Sequence, residues 1–121
     1  MEKANILLCE PSEFMRLFIR RALEKSPFHI LHEAETADEA KHLTDIDKKH
    51  EIDLVIVSDG LGLKAAKHIL EHLGRIESPA KTLGIYKDKE FYKQRVGVTS
   101  EIKHDEVVQN PSNLRNLIAR I

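Results

Sequence analysis

Short apolar runs alternate with amphipathic stretches along this chain of 121 residues, and this alternation restricts its fold more than any other feature. The strongest run, 52–58 (Ile-Asp-Leu-Val-Ile-Val-Ser), carries apolar residues on both faces of a strand. A strand of that kind is typical of a parallel sheet, whose crossover connections place helices on both sides. The sequence therefore predicts an α/β domain with a parallel sheet at its centre.

Apolar spacing, capping residues and chain breaks mark the other elements. Ser12 precedes a stretch with apolar residues three and four positions apart, and Thr36 with Glu39 forms a capping box before another. The predicted strands are 4–9, 28–34, 52–58 and 82–86, and the predicted helices are 13–24, one that begins after Thr36, 63–73 and one capped by Ser112.

The fifth strand is the ambiguous element. We favour 106–109, which is centred on a pair of valines and lies just before Pro111. The rival is 96–102, which alternates weakly. Under the rival assignment Pro111 would fall inside the last helix, where a proline costs ~3 kcal/mol or more. Residues 88–95 are a candidate short helix.

Right-handed crossovers turn this order of elements into a doubly wound, flavodoxin-like sheet of five parallel strands, for which 2-1-3-4-5 is a common strand order. Helices would cover both faces, and residues 1–121 would form one domain. Ligands of such folds bind outside the carboxyl ends of the strands where the strand order reverses. The residues just after Cys9 and Ser58 are therefore the first candidates for a functional site.

Composition excludes several classes of protein. With 19 Lys and Arg against 20 Asp and Glu, the net charge is −1, which argues against a nucleic-acid-binding role for this domain. No apolar run approaches the ~20 residues of a membrane span, so no membrane association is expected. A single cysteine and an N-terminus without a signal-peptide pattern predict a reducing compartment, the cytoplasm.

Two acidic residues follow the strands that flank the reversal point. Glu10 follows the first strand and Asp59 follows the third. Two carboxylates across one crevice can hold a hard cation such as Mg²⁺, and an Asp at a strand end can accept a phosphoryl group. The alternative is structural: Asp59 and Gly60 begin an ordinary turn, and Glu10 caps the first helix. Spacing alone leaves both interpretations open.

Three segments resemble the receiver domain of two-component response regulators. They are 6–16 (Ile-Leu-Leu-Cys-Glu-Pro-Ser-Glu-Phe-Met-Arg), 33–40 (Glu-Ala-Glu-Thr-Ala-Asp-Glu-Ala) and 53–59 (Asp-Leu-Val-Ile-Val-Ser-Asp). The resemblance implies that Asp59 is the phosphoacceptor. It also implies a Mg²⁺ site formed by Glu10, Asp59 and the backbone carbonyl of Leu61.

The chain departs from the family pattern at several positions. Pro11 stands where the family has a second acidic residue, and Tyr86 stands where it has Thr or Ser. The family's strand-five lysine, which precedes a cis-proline, aligns with Asn110 and Pro111 in the favoured register, whereas Lys103 restores the lysine in the rival register. The resemblance then implies a cis bond before Pro111 and a weakened Mg²⁺ site.

These departures predict a degenerate receiver, or pseudo-receiver, that binds a protein partner and has an impaired phosphorylation site. The alternative is a working receiver that is switched by Mg²⁺-dependent phosphorylation of Asp59. The expected partner is a sensor histidine kinase or a downstream signalling protein. The expected surface, also for a homodimer, combines the short helix at 88–95, the fifth strand and the last helix. No catalytic set is complete, so an enzyme is not predicted.

Three smaller features have structural explanations. Residues 68–72 (His-Ile-Leu-Glu-His) match a zinc metallopeptidase motif, but the histidines share a helix face with charged residues, which predicts a solvated face. Cys9 is expected to be a small core residue rather than a reactive thiol. Arg16, Arg20 and Arg21 are expected to be solvated charges.

Overall fold

A computed structural model describes residues 1–87 and 97–121. The strands are β1 (Ala4–Cys9), β2 (Phe28–Ala34), β3 (Leu54–Ser58), β4 (Lys81–Tyr86) and β5 (Ser100–Lys103). The helices are α1 (Glu13–Leu23), α2 (Ala37–Asp45), α3 (Leu63–Arg75), α4 (His104–Gln109) and α5 (Ser112–Arg120), with a 3₁₀ turn at Asp59–Leu61.

The five strands form one sheet in the order β2-β1-β3-β4-β5, and every neighbouring pair is parallel. Ile6 of β1 lies opposite Leu54 of β3, and Leu54 lies opposite Lys81 of β4. The predicted doubly wound α/β fold and its strand order are therefore confirmed.

Alternation along the strands divides the core into two layers. Ile6 and Leu8 of β1 point to one face of the sheet and pack with apolar residues of α1, α4 and α5. Leu7 and Cys9 point to the other face and pack with α2 and α3. Because both faces of the sheet are apolar, each needs a cover of helices, and the helices lie on both sides as predicted.

Two of the predicted helix starts are held by side-chain caps. Ser12 Oγ accepts the N–H of Met15 at 3.3 Å, and Thr36 Oγ1 accepts the N–H of Glu39 at 3.2 Å. Each bond satisfies one of the N–H groups that have no partner in the first helical turn. The capping signals in the sequence therefore locate α1 and α2 correctly.

The favoured position of the fifth strand was wrong. Residues 106–109 belong to α4, and the strand is Ser100–Lys103, inside the rival interval extended by one residue. A short apolar run does not distinguish a strand from a buried helical turn. Here the acidic residues Asp105 and Glu106 occupy the first helical turn, where the helix dipole favours negative charge.

The assignment of Asn110 and Pro111 to a strand end also fails, for a physical reason. The chain after β5 forms two helices, and it breaks between them at Asn110, whose backbone is extended. Pro111 therefore precedes α5 and interrupts no helix. Ser112 is the first residue of α5 rather than its cap, and its N–H and hydroxyl donate to Asn110 Oδ1 at 3.3 and 2.7 Å.

The implied cis bond is not present, because the described residues contain no cis peptide bond. The candidate short helix at 88–95 lies outside the described residues.

Among the helices of residues 1–87 and 97–121, none has both the length and the apolar character of a membrane-spanning segment.

The two-sided burial of β3 can be tested by truncating one side chain. Ile56 is fully buried, and we expect Ile56→Ala to lower the free energy of unfolding by about 2–5 kcal/mol in urea titrations. The control is Ile46→Ala, because Ile46 is 54% exposed and should change stability by no more than about 0.5 kcal/mol. Equal effects of the two substitutions would contradict the described core.

Candidate functional site

The carboxyl ends of β1 and β3 meet at one edge of the sheet. Cys9 lies opposite Val57 at the last described rung of the two strands, so Glu10 and Ser58 follow at the next step. Gly60 lies between these two side chains. A Cβ placed on Gly60 would lie 3.2 Å from Glu10 Oε2 and 3.3 Å from Ser58 Oγ. The predicted convergence of the two strand ends is therefore present.

Glu10 is held on several sides. Glu10 is only 3% exposed. Its backbone N–H donates to the carbonyl of Ala34 at 3.0 Å, and its side-chain Oε2 accepts the N–H of Ser12 at 3.1 Å. Within the described residues its carboxylate has no ion pair with Lys, Arg or His. Glu10 thus supports the turn that leads into α1, but it does not cap the helix as the structural alternative expected, because the cap is Ser12. The second carboxylate oxygen of Glu10 has no donor among these residues.

Asp59 begins the 3₁₀ turn, and its carboxylate is engaged with the neighbouring strand end. Oδ2 accepts the N–H of Lys87, the residue that follows β4, at 2.7 Å. Its backbone carbonyl accepts the N–H of Gly62, whose φ of 90° suits a glycine. The turn interpretation of Asp59 and Gly60 is therefore correct. A charge-assisted bond of this kind ties β3 to β4 at the site.

Sequence reasoning missed Ser58. Its side chain is buried beside Glu10, and its Oγ accepts the N–H of Gly60 at 3.1 Å. Cys9 pairs with Val57, so the next residue of each strand places Ser58, rather than Asp59, opposite Glu10. The alternation of side chains along a strand could have identified it, since Ser58 points to the same face of the sheet as Leu54 and Ile56.

Arg16 is buried, contrary to the expectation that it is a solvated charge. It is 8% exposed, and its Nη1 donates to the carbonyls of Glu10 and Pro11 at 2.8 and 3.1 Å. Its other nitrogens pair with Glu33 at 3.3 Å and Glu35 at 3.1 Å. Arg16 therefore fastens the turn after β1 to the end of β2.

The other two arginines of α1 differ from Arg16. Arg20 donates two hydrogen bonds to Glu33, at 2.7 and 2.6 Å, and this carboxylate raises the pKa of the Arg20 guanidinium. Arg21 is exposed, as expected, and has no ion pair within the described residues.

The strand-five lysine is present at the same edge. Lys103 ends β5 and lies opposite Tyr86, the last residue of β4. Tyr86 is partly buried against the core layer beneath α2 and α3. Four strand ends thus bring Glu10, Asp59, Tyr86 and Lys103 to one edge, while Asn110 and Pro111 lie beyond it, between α4 and α5.

The oxygen atoms at this edge are poorly suited to coordinate Mg²⁺. Asp59 already accepts a backbone N–H, and Pro11 has no side-chain ligand next to Glu10. The carbonyl of Leu61, the third implied ligand, belongs to the last residue of the 3₁₀ turn. Mg²⁺ requires near-octahedral oxygen coordination, and residues 1–87 and 97–121 contain no group of three His, Cys, Asp or Glu side chains suited to a metal.

The zinc-like motif on α3 has a structural role in the described part of the chain. His72 is half-buried, and its Nε2 lies 2.7 Å from Asp45 Oδ1 on α2, whereas His68 is exposed. The predicted solvated face is thus correct for His68 and wrong for His72. Cys9 is fully buried, and burial raises the pKa of its thiol to about 12, as expected of a core residue.

Comparison with known proteins finds similarity in structure only. No family model and no curated protein matches the chain. The signal receiver domain of the response regulator NarL from Mycobacterium tuberculosis is 18% identical, with a TM-score of 0.77 over 99% of this chain and 98% of that chain. The receiver domain of AraT from Geobacillus stearothermophilus is 21% identical, with a TM-score of 0.75 over 99% of this chain and 92% of that one.

A third similar structure is a complex. In the structure of the P1 domain of CheA3 with CheY6 from R. sphaeroides, the matching chain is 15% identical, with a TM-score of 0.76 over 99% of this chain and 97% of that one. Similarity at these levels shows a common fold. The chain therefore has the fold of response-regulator receiver domains.

Replacement of Arg16 tests whether its hydrogen bonds and ion pairs stabilise the turn after β1 against the end of β2. Arg16→Met leaves the carbonyls of Glu10 and Pro11 without their donor, and we expect a loss of about 2–3 kcal/mol in unfolding free energy. Arg20→Met is the matched control, and loss of its solvent-exposed pair with Glu33 should lower the unfolding free energy less than Arg16→Met does. Urea titrations measure both, and a smaller loss for Arg16→Met than for Arg20→Met would refute this role.

The thiol of Cys9 gives a pH-dependent test of its burial. Its ordinary pKa is 9.0 and its folded pKa about 12, so above pH 9 the unfolded chain loses a proton that the folded chain keeps. This group therefore lowers stability as pH rises from 9 toward 12.

Near neutral pH we expect an aromatic disulfide reagent to label Cys9 only after urea unfolds the protein. Rapid labelling of the native protein would contradict the burial.

Proposed function

We propose that this chain is an atypical receiver domain of two-component signalling, a protein-interaction module whose phosphorylation site is impaired. The receiver fold supports the class of protein. The observation that carries the impairment is the bond between Asp59 Oδ2 and the N–H of Lys87, at 2.7 Å. This charge-assisted hydrogen bond fixes the orientation of the carboxylate and withdraws electron density from Oδ2, and both effects lower its reactivity toward a phosphoryl donor.

The surrounding residues add to the impairment. Phosphoryl transfer depends on positioning and on neutralisation of the charge that the phosphoryl oxygens carry. Pro11 removes one of the acidic side chains with which the family organises Mg²⁺, and Tyr86 replaces the family's small hydroxyl residue. Glu10 alone is a weak basis for a Mg²⁺ site.

A second candidate function rests on Lys103. Its position at the end of β5, opposite Tyr86, supports a receiver that keeps the lysine of the family. In that case an Asp59 oxygen would form a bond to phosphorus as the bond to the donor's leaving group breaks, giving an acyl phosphate. The side chain of Lys103 would offset part of the negative charge on the phosphoryl oxygens.

The proposed partner is a protein, either a sensor histidine kinase or a downstream signalling protein in the cytoplasm. A similar structure, CheY6 with the P1 domain of CheA3, is itself a protein complex. The surface that the resemblance indicates combines β5, α5 and residues 88–95, of which the last lie outside the described residues. We assign the chain no enzymatic turnover of its own.

Phosphoryl labelling distinguishes the two candidates. The protein is incubated with acetyl phosphate or phosphoramidate and Mg²⁺, and its intact mass is compared with that of Asp59→Asn. We expect no phosphoryl adduct under conditions that label an ordinary receiver domain, because the site lacks the second acidic side chain for Mg²⁺ and the small hydroxyl residue of the family. An adduct that disappears in Asp59→Asn would refute the impaired site and favour the working receiver.

A repaired variant serves as the positive control. Pro11→Asp with Tyr86→Thr restores the acidic and hydroxyl side chains that the family pattern carries at these positions. If their absence impairs the site, the double variant gains an adduct that the wild type lacks. Equal labelling of the two proteins would contradict that explanation.

A further inference from the structure

Helix α1 presents an apolar stripe to solvent on the side opposite its buried face. Phe14 is 66% exposed and Leu17 is 39% exposed. Phe18 packs partly on the core, and its ring lies 5.4 Å from the ring of Phe14. Large apolar side chains grouped in this way on a surface mark a site of association.

This stripe is the main apolar patch of the described surface. Across residues 1–87 and 97–121, the exposed large apolar side chains are Phe14, Leu17 and Ile46, and Ile46 lies apart from the others at the end of α2. The described part of the face formed by β5 and α5 contributes none of them. A homodimer therefore has more exposed apolar surface to bury on α1 than on the described part of that face.

Charges of opposite sign flank the stripe at equal distances. Glu13 lies four residues before Leu17, and Arg21 lies four residues after it. Both charged side chains are exposed, and within the described residues neither has an ion pair. At 100° per residue, the positions from Glu13 to Arg21 that form the stripe fall within an arc of ~140° on the helix.

We propose that this surface binds a second copy of the same chain, with the two α1 helices antiparallel and a two-fold axis at Leu17. Such an axis brings Leu17 against its own copy and places Glu13 of each protomer opposite Arg21 of its partner. The arrangement is isologous, so one patch with complementary ends satisfies both protomers. Phe14 and Phe18 extend the apolar contact on both sides of the axis.

The self-complementary charges favour a second copy over an unrelated partner helix. The axis forms two ion pairs from Glu13 and Arg21, which lie in no ion pair within the described residues, although Glu13 also attracts Arg20 of its own helix. One helix face per protomer buries less than the ~1,200 Å² of stable complexes, so we expect a weak dimer, with a Kd on the order of 100 µM. The face formed by β5 and α5 remains accessible to a protein partner.

Sedimentation velocity tests the proposal on the full chain. Between about 10 µM and about 1 mM we expect the weight-average mass to rise from one chain toward two. Leu17→Glu should abolish this rise, because it sets two carboxylates against each other at the axis. Ile46→Glu is the matched control at an exposed site away from α1 and should leave the rise unchanged, with circular dichroism confirming that both variants fold.

Charge exchange tests the antiparallel arrangement itself. Glu13→Arg and Arg21→Glu each set like charges at both ends of the stripe, and each should weaken the dimer about tenfold or more. The double variant should restore the wild-type affinity, and an equimolar mixture of the two single variants should form a heterodimer. The proposal would be overturned if the protein stays monomeric up to about 1 mM, or if the dimer Kd is the same in the wild type and the charge-exchange variants.

Discussion

Burial of β3 on both faces is the constraint on which the rest of the structure depends. Every residue from Leu54 to Ser58 is buried, and the strand is paired with β1 on one edge and β4 on the other. Its apolar side chains alternate between two core layers, so helices have to cover both faces. Because all strands are parallel, their carboxyl ends meet at one edge, and the candidate site residues gather there.

Buried polar groups then shape that edge. Arg16 reaches from α1 to the carbonyls that follow β1 and to the carboxylates at the end of β2. Asp59 reaches from the end of β3 to the backbone N–H after β4. Side chains of the kind that perform chemistry elsewhere are used here to connect neighbouring strand ends. This use of charged groups supports the proposal of an interaction module with an impaired phosphorylation site.

The helices differ in what they leave exposed. The inward face of α1 completes the core with Met15, Ile19 and Ala22, whereas its outward face carries Phe14 and Leu17. Apolar residues on both sides of one helix exceed what a monomeric core needs. The excess lies on the helix that follows Glu10, which places a self-association surface beside the strand-end edge.

The sequence by itself determined the α/β class and the starts of α1 and α2, because burial pattern and capping are local signals with few alternatives. The rules for crossover connections made 2-1-3-4-5 the expected strand order. The sequence also placed Glu10 and Asp59 at the same edge of the sheet, since both follow strands at the reversal point. Only the tertiary structure decided that the strand is 100–103, because a short apolar run such as the valine pair at 107–108 suits both a strand and a buried helical turn. It likewise decided the burial of Ser58 beside Glu10, the ion pairs of Arg16 with Glu33 and Glu35, and the position of Lys103 opposite Tyr86, because these neighbours lie far apart in the sequence.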